Sequence, residues 1–248
     1  SSAASDVYKR QTAVGLLNET HEPDTFYGVE RNNVEKNIIP TTWWEGGLAL
    51  SGEIFPGFSY DGSFTSGLGL DEDEYKIRDG RQKVSNAKAS DFAYTGRLKY
   101  TGIAGLELAA TAQYQEDLYQ GGLADTVDAI LFETHASYQN GPFGLRALYA
   151  AWDIDDGIEE IKVGADKQEG WYVEPSWRLN RNWGLFARYS DWDNQAGASN
   201  DSEYDQWDLG INYWLVEIVL FKFDYIKQDA PEGKSEYDGW NLGVGYQF

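Results

Sequence analysis

Two histidines are the only side chains in the sequence that could act as a general base near neutral pH. His21 lies in an irregular polar stretch, and His135 lies two residues before Ser137 in an alternating segment. Hydrolysis needs a nucleophile with such a base in hydrogen-bonding reach, and no neighbouring residues mark either histidine as activated. The chain has no cysteine, which excludes disulfides and thiolate metal sites. The sequence therefore argues against an enzyme, and no metal or cofactor is expected.

Charged side chains inside otherwise apolar segments offer a second, electrostatic chemistry. Between residues 92 and 100, Tyr94 and Leu98 alternate with Arg97 and Lys99, so apolar and charged side chains fall on opposite faces of an extended chain. The same separation recurs along the sequence, and the charged face carries both signs. Its basic members are Arg97, Lys99, Arg146, Arg178, Arg188 and Lys222, and its acidic members are Glu45, Glu53, Asp61, Glu107, Glu133, Glu174, Asp208 and Asp224.

The elements that position these side chains have a period of two, which predicts β-strands rather than amphipathic helices. Most reach the length of roughly 9–11 residues that a tilted strand needs to cross a bilayer. Short turns alternate with long polar loops, an asymmetry typical of outer-membrane barrels. Pro175, inside one strand, predicts a bulge or local break. About twelve strands are predicted, near residues 12–19, 43–54, 58–70, 90–101, 106–116, 127–139, 143–154, 169–178, 183–193, 204–215, 217–228 and 237–248.

Composition favours a membrane location for this sheet. Aromatic residues make up 15% of the chain, with 10 Trp and 17 Tyr, and such rings settle at the two water–lipid boundaries. The sequence contains no run of about 18 apolar residues, so a closed barrel is the expected way to span a bilayer. A net charge of -21 argues against nucleic acid as a partner. The expected fold class is an all-β, antiparallel transmembrane β-barrel; a soluble carbohydrate-binding β-protein is the alternative.

The last ten residues, Gly239–Phe248 (GWNLGVGYQF), resemble the assembly signal of outer-membrane proteins. That signal is an alternating final strand that ends in an aromatic residue. The resemblance implies that Tyr246 and Phe248 are read by the barrel-assembly machinery, and that the protein lies in the outer membrane of a Gram-negative bacterium, among lipid and lipopolysaccharide.

The segment 18–45 is long, polar and free of alternation. Phe26–Arg31 (FYGVER) and Ile38–Trp44 (IIPTTWW) resemble the third loop of porins related to the phosphate-selective porin O/P family, which folds into the pore. The resemblance extends loosely from residue 12 to the end. Since that family builds sixteen strands, it implies that this chain is the C-terminal twelve-stranded part of a truncated porin. Residues 1–11 resemble adaptor-derived sequence, residues 12–248 are expected to form one barrel domain, and residues 20–42 are the candidate constricting loop.

The resemblance implies a passive diffusion channel for small hydrophilic solutes or ions, arranged as a trimer in many family members. The charged face departs from the basic ladder of the phosphate-selective members, so phosphate specificity does not carry over. A barrel without an open pore, structural or adhesive, and an outer-membrane hydrolase are the alternatives. The candidate constriction residues are Glu22, Asp24, Glu30, Arg31, Glu35 and Lys36, and the candidate pore wall consists of Arg97, Lys99, Glu107, Glu133, Arg146, Glu174, Arg178, Arg188 and Lys222.

Overall fold

A computed structural model describes residues 5–6, 10–18, 25–216 and 218–246 of the chain. Almost all regular structure in these residues is β-strand. The helices are single turns: α1 (Val34–Asn37), α2 (Lys83–Asn86) and two 3₁₀ turns at Ile77–Gly80 and Asp156–Ile158. The strands are β1 (Ser5–Asp6), β2 (Arg10–Gln11), β3 (Trp44–Glu45), β4 (Gly47–Phe55), β5 (Phe58–Thr65), β6 (Ala93–Tyr100), β7 (Leu106–Gln115), β8 (Ala129–Asn140), β9 (Phe143–Ile154), β10 (Lys167–Arg178), β11 (Trp183–Asp193), β12 (Tyr204–Val216), β13 (Val219–Asp229) and β14 (Gly239–Tyr246).

Strands β4 to β14 form one antiparallel meander, in which each strand pairs with its neighbours in sequence. The two-residue strand β1 pairs with β4 and brings the sheet to twelve strands, while β2 pairs separately with β3. In the described part of the chain, no pairing joins β14 to β1 or β4. The predicted strand at 12–19 was wrong, because residues 12–18 form no strand. The boundary predicted at residue 12 stays a prediction, although β1 and β2 precede it.

The two faces of the sheet differ as the alternation predicted. In β6, Tyr94 and Leu98 are 55% and 49% exposed, whereas Thr95 and Arg97 are both 5% exposed. The exposed face is apolar along the long strands and carries a row of aromatic rings at contact distance, as in Trp171–Tyr189 (5.3 Å) and Tyr189–Trp207 (5.0 Å). A face of this composition suits lipid, with the rings near the headgroups.

The loops are sorted by length between the two ends of the sheet. Short turns follow β4, β6, β8, β10 and β12, and long loops follow β5, β7, β9, β11 and β13, which confirms the predicted asymmetry. Pro175 keeps its pairing with Leu145 of β9. On the other side of β10, the pairing with β11 is interrupted between Val173 and Ser176 and resumes in the same register. The predicted local break is therefore confirmed on one side of β10 only, where a proline nitrogen cannot donate.

Residues 25–43 lie on the inner face of the sheet. The adjacent residues Thr25 and Phe26 bond to Arg146 of β9 and Lys222 of β13 respectively. A flat sheet would place those strands about 19 Å apart, so contacts from both of them to adjacent residues favour a sheet that curves around the segment. Toward the long-loop end, an apolar cluster joins the segment to the wall and loops; it includes Ile38, Ile39, Trp43, Leu68, Leu70, Ile77, Leu118, Leu131, Trp152 and Tyr172. None of the described helices is long and apolar enough to cross a membrane.

Candidate functional site

The inner face of β9–β13 holds residues 25–30 through their main chain. Lys222 Nζ donates to the carbonyl oxygens of Phe26 (2.6 Å) and Gly28 (2.9 Å), and lies 3.9 Å from the centre of the Phe26 ring. Asp224 Oδ2 accepts a bond from the Val29 N–H (2.6 Å). We call these wall residues, with Arg146 and Arg188, the clasp.

Arg146 and Arg188 complete the clasp. Arg146 Nη2 donates to Thr25 O (2.8 Å), and Arg188 Nη2 donates more weakly to Glu30 O (3.4 Å). Alternation places these side chains inward, and antiparallel pairing places Arg146 opposite Glu174 and Arg188 opposite Asp208. Among the described residues, the clasp cations therefore bond to backbone carbonyls of the segment and not to its carboxylates.

The clasp cations are balanced by acids on the same wall. Arg188 is 1% exposed in its side chain and pairs with Glu174 (3.2 Å) and Asp208 (3.1 Å), while Arg146 lies 3.8 Å from Glu174. A buried guanidinium needs such partners because desolvation is costly. The mixed signs predicted from the sequence are thus present, but they pair sideways between neighbouring strands.

A second charged group lies on β5–β8 near the short turns. Arg97 pairs with Asp61 (2.7 Å), and Lys99 lies 3.9 Å from Glu107. His135 bridges Glu107 (3.4 Å) and Glu133 (2.6 Å). Arg97, Lys99 and Asp61 line an open recess of about 590 Å³. Arg178, the remaining candidate wall residue, bonds to Asn180 O and Arg181 O of the adjacent turn and stacks on Trp214.

Glu35 is 2% exposed and anchors the segment from within. Its carboxylate accepts bonds from the Leu17 N–H (2.7 Å), Asn32 Nδ2 (2.8 Å) and the Tyr172 hydroxyl (3.1 Å). Burial raises the pKa of Glu35, and the Leu17 and Asn32 donors partly oppose that rise. Glu35 thus faces the wall and not an opening, in contrast to its neighbours Arg31 and Lys36.

The other constriction candidates that the structure describes share one recess. Glu30, Arg31 and Lys36 line a recess of about 330 Å³ together with Phe26, Val29, Thr41 and Thr42. We call this the segment recess. Arg81, from the loop after β5, bonds to Thr41 at its edge. Arg78 and Arg81 were not predicted as site residues, because their loop begins with the acidic run 71–74 and the sequence there shows no basic pattern.

Three predicted residues, Glu22, Asp24 and Phe248, lie outside the described residues. Tyr246 ends β14 opposite Val219 and is exposed on the apolar face. Its role in assembly stays a prediction, as do the roles assigned to the constriction and wall residues.

A profile of the Gram-negative porin family matches residues 55–229. An uncharacterised protein of Aquifex aeolicus (strain VF5) is 26% identical; the match covers 87% of this chain and 56% of that protein. Among solved structures, an anion-selective porin from Comamonas acidovorans superimposes with a TM-score of 0.56 and 16% identity over 81% of this chain and 55% of that one. OmpT of Vibrio cholerae superimposes with a TM-score of 0.59 and 14% identity, over 98% of this chain and 76% of that one. The chain therefore spans just over half the length of the Aquifex protein and of the Comamonas porin.

Proposed function

The chain belongs to the Gram-negative porin family, and from this premise we propose that it supplies wall and constriction to a passive outer-membrane channel for small hydrophilic solutes and ions. The observation that carries the proposal is the division between the two faces of the sheet. The outer face is apolar and aromatic, while the inner face is charged and holds a segment of the chain inside the curl of the sheet.

In this channel the clasp fixes the path of residues 25–30, and the segment recess borders the space left for solutes. Glu30, Arg31 and Lys36 are the segment side chains placed to meet a passing ion. Charges fixed at a narrow point favour hydrated polar solutes and hold back apolar ones. Passage requires no chemical step, so the proposed role is not enzymatic. Contact with lipopolysaccharide, recognition by the barrel-assembly machinery and a trimeric assembly belong to the same proposal.

A barrel without an open pore is the second candidate function, and one observation favours it. Ile38 and Ile39 are fully buried and Trp43 is 1% exposed, packed with loop and wall residues into one apolar cluster. Such a cluster closes part of the inner space toward the long-loop end and would make the protein a structural barrel if it left no path for water.

Conductance separates the two candidates. The intact protein is refolded in detergent and inserted into a planar bilayer under a salt gradient, and current steps and reversal potential are recorded. Discrete ohmic steps are expected from a channel. Steps should persist in Lys99→Glu, with a reversal potential shifted toward cations, because Lys99 lines the inner recess. Lys227→Glu, on the outer face of β13, is the matched control and should leave the potential unchanged. A β-rich protein that inserts without steps would contradict the channel and favour the structural barrel.

A further inference from the structure

Two loops meet at the segment recess and bring four cations together. Arg81 donates to the carbonyl and hydroxyl oxygens of Thr41, and its Nε donates to Arg78 O (2.7 Å). Arg78 Nη1 in turn donates to Asn37 Oδ1 (3.0 Å). These bonds fix the loop after β5 against residues 37–42, beside Arg31 and Lys36.

The local charge is opposite to that of the whole chain, whose formal net charge is -21. The four cations are accompanied by three acids: Glu30 in the recess lining, the buried Glu35, and Asp79, which lies 3.7 Å from Arg78. Burial lowers the pKa of Arg31; the charge of Glu35 partly opposes this, and the charge of Arg81 adds to it. Burial lowers the pKa of Arg81, the charge of Arg78 lowers it further, and the charge of Asp79 partly opposes both. Like charges held this close are relieved by an anion placed among them.

Among the residues that the structure describes, part of this positive charge has no partner. Within the described residues, the side chains of Arg31 and Lys36 make no hydrogen bond and no ion pair within 4 Å, whereas the clasp cations are fully engaged. Arginine presents five donors in a planar fork that matches a carboxylate or phosphate. Within the described residues, a ligand at Arg31 and Lys36 would therefore displace no hydrogen bond of their side chains.

The recess also has an apolar side and a strained edge. Phe26 and Val29 line it together with the hydroxyl-bearing Thr41 and Thr42. Thr42 has a φ of 53°, a conformation that β-branched residues rarely adopt, and Arg81 braces the same turn. Strain of this kind persists where the surroundings enforce it, often at binding sites. A volume of about 330 Å³ suits a small ligand.

We propose that Arg31, Lys36 and Arg81 form a binding site for the anionic group of a small organic anion, whose short apolar portion lies against Phe26 and Val29. A carboxylate and a phosphate ester share the required chemistry. The proposal rests on the proposed channel function for its physiological role, since it names the class of solute that the channel would concentrate at its constriction. The binding itself requires only the folded chain.

The test measures binding without conduction. Butyrate, inorganic phosphate and butylammonium are titrated against the detergent-refolded protein, and dissociation constants are taken from ligand-observed NMR. Butyrate should bind, butylammonium should not, and Arg31→Gln/Arg81→Gln should weaken butyrate binding about tenfold or more, the effect of losing one charge-assisted hydrogen bond. Lys88→Gln, an exposed cation of the same loop, is the matched control and should bind as the wild type does.

Lys36→Gln should also weaken butyrate binding. This variant guards against a disturbed loop, because the Lys36 side chain makes no hydrogen bond or ion pair with any residue that the structure describes. Equal butyrate affinity in the wild type and both variants would overturn the proposal, and so would equal binding of butylammonium. Binding of phosphate without butyrate would overturn the role of the apolar side. Bilayer recordings on the same samples distinguish the two proposals. Butyrate binding without current steps would support the binding site and contradict the channel. Current steps without butyrate binding would support the channel and contradict the binding site.

Discussion

Replacing Lys222 by methionine should loosen residues 25–30 from the inner face of the sheet. Lys222 is 3% exposed and serves two carbonyls of the segment, Phe26 O and Gly28 O, while its ammonium lies over the Phe26 ring. Methionine keeps the length and apolar stem of lysine but removes all three donors. Both carbonyls then remain at an interior position without this partner, which is the costly outcome for a buried polar group.

The magnitude follows from these contacts. Two charge-assisted hydrogen bonds contribute roughly 1.5–3 kcal/mol each, and a desolvated cation–π contact about 2 kcal/mol. Methionine recovers part of this sum because a buried ammonium no longer has to be desolvated, an effect of several kcal/mol. A net loss of about 3 kcal/mol for attachment of the segment remains, which raises the population of the detached segment roughly 100-fold. The bonds of Val29 to Asp224 and of Thr25 to Arg146 then carry the attachment alone, and they break whenever residues 25–30 detach.

Amide hydrogen exchange of the Val29 N–H measures this opening, because its partner Asp224 lies beside Lys222 on β13. Exchange in Lys222→Met should be about 100-fold faster than in the wild type, since the rate follows the opening equilibrium when closing is fast. Lys227→Met changes the same residue type on the outer face of the same strand and should leave exchange unchanged. Exchange of Val29 within twofold of the wild type in Lys222→Met would refute the reasoning that the clasp holds the segment.

Two further predictions concern the anchor inside the segment and the apolar face of the sheet. Burial raises the pKa of Glu35, so between the ordinary and the raised pKa the folded protein holds a proton that the unfolded chain has lost. The stability that this group contributes is therefore fully present below its ordinary pKa of about 4.3. It is lost as the pH rises through the raised pKa of the folded protein. The free energy of unfolding in urea should therefore fall more steeply with rising pH in the wild type than in Glu35→Gln. Parallel plots of unfolding free energy against pH for the two proteins would contradict this role of Glu35. Leu209→Arg, on the outer face at mid-strand, should cost about 2–4 kcal/mol of unfolding free energy in lipid, and Leu215→Arg, beside a short turn, at most about 1 kcal/mol. Equal costs at the two positions would mean that this face does not meet the bilayer core.

The strands and the orientation of their side chains could be predicted from the sequence, because the information is local. In 92–100 and 106–115 each residue's face follows from its position in the alternation, and the structure places Arg97 and Glu107 on the inner side as expected. The loop asymmetry was equally local, since turn residues and loop lengths are visible in one pass along the chain.

The interior could not be predicted, because its partners are distant in sequence. Residues 12–18 show an apolar pattern that resembles a strand, yet Asn18 bonds to Thr12 O (3.0 Å) and accepts from the Trp43 N–H (2.9 Å), so this stretch folds back as a buried coil. The partners of Arg146 and Lys222 are carbonyl oxygens, which every residue carries and which therefore leave no mark in a sequence. Arg78 and Arg81 were missed for a related reason: the fold, and not their neighbours in the chain, brings them to Arg31.

The clasp has an evolutionary consequence. Because the wall side chains bind residues 25–30 largely through main-chain atoms, the course of this strap (residues 25–30) does not depend on the side chain of Glu30. Glu30 and Arg31 can be exchanged for residues of another charge or size while the strap stays in place, as long as Lys222, Asp224 and Arg146 remain. Single substitutions at these positions can therefore change which solutes pass, while the path of residues 25–30 stays the same.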